Sequence, residues 1–156
     1  MPTADDVRRA ETRDVPAVTD LLLAQLREHD IPVRREHVAR RVAAAVDGAD
    51  GHVLLVAPGP EGRPVGVAYV SFAEPLEHEG TVAWLEELYV EADLRDRGIG
   101  GRLVAAVIAE SERRGCVAVE LETKRSHERA GHLYVRHGFQ DLGRTHYARP
   151  LRAWDW

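Results

Sequence analysis

Leu85-Glu86-Glu87-Leu88-Tyr89-Val90-Glu91-Ala92-Asp93-Leu94-Arg95-Asp96-Arg97-Gly98-Ile99-Gly100-Gly101-Arg102 reads as a strand that runs through a glycine-punctuated turn into a helix. A helix that starts straight after such a turn leaves its first backbone N–H groups unpaired and aimed one way, and its N-terminus carries partial positive charge. Arg95 and Arg97 add fixed charge beside it. The stretch is an anion cradle suited to a phosphate-like ligand, a pyrophosphate above all. Gly98 and Gly100 alone fit an ordinary strand-to-helix turn equally well, so the rest of the chain has to decide.

Within the strand, alternation puts Glu86 on the face shared by Trp84, Leu88 and Val90, and Glu87 on the face of Leu85 and Tyr89. One of the two carboxylates is therefore expected to be partly desolvated, and a bulge would exchange them. Between Val65 and Leu94 there is no lysine or arginine, whereas Glu74, Glu77, Glu79, Glu86, Glu87, Glu91 and Asp93 all fall there. Such a run is either a solvated acidic loop or a mouth that attracts a cation.

Upstream, His52 to Ala57 and Val65 to Phe72 flank a breaker-dense turn and predict an antiparallel hairpin, with Gly66 as a candidate bulge. Val7 to Ala10 predicts a short edge strand. Helices are predicted from Pro16 to about His29, capped by Thr12 or Asp14, and from Glu36 to Asp47, stopped by Gly48. Downstream, the helix Ile99 to Arg114 turns Ile99, Leu103, Ala106 and Val107 inward and Glu110, Glu112 and Arg113 outward. The strand Val117 to Glu122 should then lie parallel to Ala83–Val90 through a right-handed crossover. A last helix, Ser126 to His137, ends at Gly138, and a closing hairpin is predicted over Phe139–Leu142 and Thr145–Leu151.

The chain of 156 residues, 44% of them hydrophobic, fits one domain over residues 1–156 with its core at about 5–151. A formal net charge of -5 speaks against nucleic acid as a partner. No stretch resembles a membrane span or a signal peptide, so a cytoplasmic protein is expected. Cys116 is the single cysteine, which excludes an intrachain disulfide and a cysteine-rich metal site. His127, His132 and His137 recur at a spacing that turns successive members about 140° apart on a helix, so they cannot share a metal ion. No metal is expected.

Two separated segments together resemble one family. Arg95-Asp96-Arg97-Gly98-Ile99-Gly100 is similar to the (Gln/Arg)-x-x-Gly-x-(Gly/Ala) signature of the GNAT superfamily of N-acetyltransferases. Ala130, Leu133-Tyr134 and Gly138-Phe139 resemble that family's A-x-x-L-Y-x-x-x-G-F segment, with His127 standing where members often carry Asn. The resemblance runs from Val7 to Leu151. It implies an α/β (α+β) GNAT-like fold: a central twisted, mixed, mostly antiparallel sheet of about six or seven strands, two of them parallel and splayed, with about four helices. It further implies acetyl-CoA as cosubstrate. The pantetheine arm would pair with backbone at Leu88 and Val90, beside Tyr89. The pyrophosphate would sit over Arg95, Asp96, Arg97, Gly98, Gly100, Gly101 and Arg102, with Ile99 turned inward, and His127, Ala130 and Tyr134 would face the cofactor. Many relatives are dimers, so a homodimer is one assembly the resemblance allows.

Acetyl transfer to an amine needs a base, because an alkyl ammonium with a pKa of roughly 10 holds its proton at neutral pH. Glu86 is the first choice and Glu87 the alternate. Tyr134 is the general acid implied by its place in the Leu-Tyr-x-x-x-Gly-Phe segment. The acceptor implied is a small cationic amine such as a polyamine, an amino acid or an aminosugar. A protein N-terminus or lysine, and a silent acetyl-CoA-binding module, are the alternatives.

Overall fold

The computed structural model describes residues 6–153. The Trp154–Trp156 tail lies outside them. In chain order the elements are β1 (Arg8–Arg9), α1 (Val15–Glu28), α2 (Arg35–Asp47), β2 (Val53–Pro58), β3 (Pro64–Ala73), β4 (Val82–Val90), α3 (Ile99–Arg113), β5 (Ala118–Leu121) and α4 (Glu128–Arg136). The sheet runs β1-β2-β3-β4-β5. Neighbours are antiparallel except β4 and β5, which are parallel as the intervening helix required.

Each face of the sheet has its own apolar layer. Val18, Leu21 and Leu22 of α1 and Val38 and Val42 of α2 pack against Leu54, Val56, Val67 and Tyr89. On the other face Ile99, Leu103 and Val107 of α3 pack against Val53, Leu55, Val65, Ala68, Val70, Ala83 and Leu85. β2 and β3 are covered on both sides, which is why they read as continuous apolar runs rather than alternating ones. Burying each such aliphatic side chain contributes about 1.5–3 kcal/mol.

α3 packs tightly on the sheet at Gly66: a Cβ there would stand 3.0 Å from Leu103 Cδ1 and 3.2 Å from Ile99 Cγ2. The register shift expected near it lies alongside, where Ala57 pairs with Gly66 and Pro58 with Pro64. Asp14 precedes α1 without capping it by its side chain. Instead its carboxylate accepts the Glu11 N–H at 2.7 Å and two hydrogen bonds from Arg8 at 2.6 and 3.0 Å, tying β1 to the helix start.

Three expectations are corrected. The described residues form five strands, not six or seven, because the closing hairpin does not form. Residues 139–150 carry no regular structure, and Leu142, Tyr147 and Leu151 are 60%, 90% and 92% exposed. Polar Gln140, Asp141, Arg144, His146 and Arg149 leave that segment no apolar face to bury, and polar contacts hold it instead: an ion pair from Arg144 to Glu77 at 3.1 Å and a hydrogen bond between His146 Nδ1 and Glu122 Oε1 at 2.8 Å. Gly143 keeps its turn, with φ +66°.

Glu110 points in, not out. It follows Val107 by one helical turn on the buried stripe and accepts hydrogen bonds from Arg9, Arg113 and Arg114. Burial alone would raise its pKa, yet those three arginines outweigh burial and hold it below the ordinary carboxylate value.

Finally, α4 is shorter than the expected Ser126–His137, with His127 in the cap position and Gly138 in a left-handed conformation at φ +88° just beyond the end.

Candidate active site

The site is organised by two irregularities of β4. The first is a bulge. Tyr69 of β3 faces Glu87, and the next residue, Val70, faces Leu85, so Glu86 has no partner. Simple alternation therefore fails at that point: Ala83 and Leu85 lie on the α3 face before it, Leu88 and Val90 lie on that same face after it, and Tyr89 belongs to the α1–α2 face. Glu87 shares the α1–α2 face with its cross-strand neighbour Tyr69.

The second irregularity is the splay. β5 pairs with β4 from Val82↔Ala118 to Leu85↔Leu121 and then stops, while β4 continues to Val90. Beyond Leu85 no strand among the described residues lies beside that β4 edge, and side chains reach its carbonyls. Gln25, buried in α1, donates from Nε2 to the Leu88 carbonyl at 3.3 Å, and Arg95 Nε donates to the Val90 carbonyl at 3.0 Å.

Glu87 is half-buried beside this gap. Burial, reinforced by the charge of Glu86, pushes its pKa up to about 7. Tyr134 of α4 sits edge-on to Phe139, with ring centroids 5.7 Å apart, and leans on the α3-side layer. Burial raises its phenol pKa and the charge of Glu87 raises it further. Glu86, the unpaired residue of the bulge, stands on the same face, its Oε2 lying 3.6 Å from the Nε2 of His52, which stacks on Tyr69.

The anion cradle follows the strand. Asp96 and Gly98 take left-handed conformations, φ +63° and +79°, and swing the chain into α3 at Ile99. The first bond of that helix is Arg102 N–H to the Gly98 carbonyl, 3.1 Å, so the N–H groups of Ile99, Gly100 and Gly101 precede any intrahelical acceptor. Ile99 itself is buried. The Arg102 guanidinium folds back over Gly98, with Nη1 3.6 Å from where a Cβ would stand. Its Nε and Nη2 are buried without a hydrogen-bond partner among the described residues. A buried cation lacking an acceptor beside a helix N-terminus is what a pyrophosphate would complete, so these residues fit the diphosphate of coenzyme A.

Not every residue of the cradle motif faces the anion. Arg95 is turned aside: it makes two hydrogen bonds to Glu28 of α1, at 2.9 and 3.0 Å, and lies over the Tyr89 ring, 5.2 Å from its centroid. It clamps α1 to the end of β4. Asp96 pairs with Arg129 and so links the loop to α4, while Arg97 is exposed. Gly100 and Gly101 face α4, where added Cβ atoms would stand 3.5 Å from Leu133 and 3.4 Å from His137. His127 meets His29 of α1 edge-on at 5.0 Å, and Ala130 is half-buried.

Asp50, His52 and Tyr69 also line this region, and sequence reasoning did not single them out. The one local signal was parity, since His52, Leu54 and Val56 fall on one face of β2.

The acetyltransferase (GNAT) family model matches residues 16–139. An aminoglycoside N(6′)-acetyltransferase type 1 of Klebsiella aerogenes is 29% identical over 101 residues, covering 63% of this chain and 66% of that protein. A thialysine N-epsilon-acetyltransferase of Bos taurus is 33% identical over 93 residues, covering 57% of this chain and 53% of that protein. The chain thus spans less than two thirds of the length of each of these relatives. An integron cassette protein from the mobile metagenome of Cole Harbour Salt Marsh superposes with a TM-score of 0.83 at 21% identity, covering 96% of this chain and 93% of that one.

Proposed function

The chain belongs to the GNAT family of acetyltransferases, and we propose that it transfers the acetyl group of acetyl-CoA to the primary amine of a small cationic acceptor. The observation that supports this reading is a half-buried Glu87, pKa about 7, on the strand that outruns β5, its charge reaching the buried Tyr134 of α4. The two relatives' names, one an aminoglycoside and the other a thialysine acetyltransferase, support a small-molecule amine.

The backbone of Leu88 and Val90, the N–H groups of Gly98 to Gly101 and the Arg102 guanidinium would hold coenzyme A. When bound, acetyl-CoA supplies the acetyl group as an activated thioester. Glu87 takes the proton of the acceptor ammonium. An unshifted glutamate would face a gap of about 6 pKa units to an alkyl ammonium, roughly 8 kcal/mol, whereas at about 7 the gap is near 3 units, roughly 4 kcal/mol. Tyr134 keeps its proton, since burial raises its pKa, and donates it from Oη toward the leaving sulfur.

The test is thiol release from acetyl-CoA with a panel of primary amines. Acceptor-dependent release that is at least tenfold lower in Glu87→Gln supports the proposal. Cofactor binding with no release on any amine would replace it with a cofactor-sensing module.

A further inference from the structure

The proposed chemistry leaves Asp50, His52 and Tyr69 without a task, although Tyr69 is the direct cross-strand neighbour of Glu87. The His52 ring stacks on Tyr69, centroids 4.9 Å apart and planes 15° from parallel. Asp50 fixes the imidazole from behind. Its Oδ1 accepts the His52 backbone N–H at 2.9 Å, and both its carbonyl oxygen and its Oδ2 lie 3.2 Å from His52 Nδ1. Neither a carbonyl nor a carboxylate has a hydrogen to give, so in the neutral ring Nδ1 carries the hydrogen and Nε2 is an acceptor.

That acceptor faces another one, Glu86 Oε2, at 3.6 Å. With the ring neutral, two lone-pair groups face each other, and among the described residues no backbone or hydroxyl donor bridges them. Arg41, the nearby cation, is engaged by Asp50 Oδ2 at 3.2 Å and by the Tyr69 hydroxyl. Among the described residues no lysine or arginine forms an ion pair with Glu86. Arg41 offsets one of the two carboxylate charges, Asp50 and Glu86, gathered here, and a primary ammonium would supply a second positive charge and three N–H donors to Glu86 and His52.

We propose that Glu86, held in place by His52, is a specificity-determining anchor for a second ammonium group on the acceptor, so that diamines and longer polyamines are preferred over monoamines. The bulge makes the division of labour possible. It sets two consecutive carboxylates side by side on one face, Glu87 opposite Tyr69 for the reacting amine and Glu86 at the His52 corner. His52 is a positioning residue, acting through Glu86. The inference rests on the reading of Glu87 as the base of an acetyl transfer.

The experiment compares 1,4-diaminobutane with 1-aminobutane. The readout is the ratio of their kcat/KM values, together with calorimetric binding of each amine to the protein saturated with coenzyme A. Glu86→Gln should compress the kcat/KM ratio at least tenfold and weaken diamine binding by a similar factor. His52→Ala should compress the ratio about threefold or more, and His52→Gln, which restores a polar group facing Glu86, should recover part of it. A ratio that stays within twofold of wild type in Glu86→Gln overturns the anchor while leaving acetyl transfer intact. If wild type turns over neither amine but diamine binding still weakens tenfold in Glu86→Gln, the anchor stands and the transferase reading falls. Equal binding of both amines to wild type overturns it as well.

Discussion

Glu87 on β4 and Tyr134 on α4 lie within electrostatic reach of each other: after burial, the carboxylate is the second cause of the raised phenol pKa. Glu87 is itself raised to about 7, so its ionisation should govern the acidic limb of the pH–rate profile. The expected limb has an apparent pKa about 7 and disappears in Glu87→Gln, with kcat/KM lower by about a hundredfold at pH 7.5. A limb that survives the substitution would assign the base elsewhere.

The same shift has a stability signature. The folded-state pKa lies above the ordinary value of 4.5, so the native protein binds this proton more tightly than the unfolded chain does. Its stabilisation is complete below about pH 4.5 and is lost as the pH rises through 7. Glu87→Gln keeps the neutral form at every pH. It should therefore be more stable than wild type at pH 8, by on the order of 2 kcal/mol after allowing for partial exposure, with the gap closing by pH 5. Denaturant melts at the two pH values measure it.

Tyr134→Phe tests the other partner. The ring packing against Phe139 and the α3-side layer survives the change, so the melting temperature should move by no more than a few degrees. What is lost is the proton donor. The expected outcome is a fall in kcat of at least tenfold with coenzyme A affinity within threefold of wild type.

How far this site could be read from residues alone depended on the range of the interactions involved. The Arg95–Gly100 turn and the Leu133-Tyr134 pair are local patterns, and each sits where its local signal put it, the one leading into α3 and the other within α4. The Glu86 bulge is different, because it is fixed by which residues of β3 face Leu85 and Glu87, a register between strands that no window of β4 contains. Arg95 looked like a flank of the cradle, but Glu28, far away in α1, draws it off. Glu110 looked like a surface charge until Arg9 of β1 came over it. The expected closing hairpin failed for the converse reason: Gly143 supplied a local turn, but no apolar face followed to hold two strands together.

Glu110 makes a stability prediction with the opposite sign to Glu87. Its folded pKa is depressed, so its contribution is present above about pH 4.5 and is lost as the pH falls through the folded value. Glu110→Gln should cost about 1–3 kcal/mol at pH 7 and converge on wild type at a pH below the folded value. Urea midpoints at the two pH values check it, and a constant difference would mean that the carboxylate charge is not what the three arginines stabilise.

Arg102 separates stability from cofactor binding. Two of its guanidinium nitrogens are buried with no acceptor, a cost the free protein bears. Arg102→Met keeps the aliphatic stem packed and removes that cost, so the free protein should gain about 1 kcal/mol. Coenzyme A should then bind at least tenfold more weakly, because the charge that faces the diphosphate is gone. Thermal melts with and without coenzyme A read both effects at once: the variant melts above wild type alone, and its ligand-induced upward shift is smaller. Dephospho-coenzyme A, which keeps the diphosphate and lacks the ribose phosphate, should show the same loss. If it binds wild type and Arg102→Met equally well while coenzyme A does not, Arg102 addresses the ribose phosphate and the cradle must be redrawn.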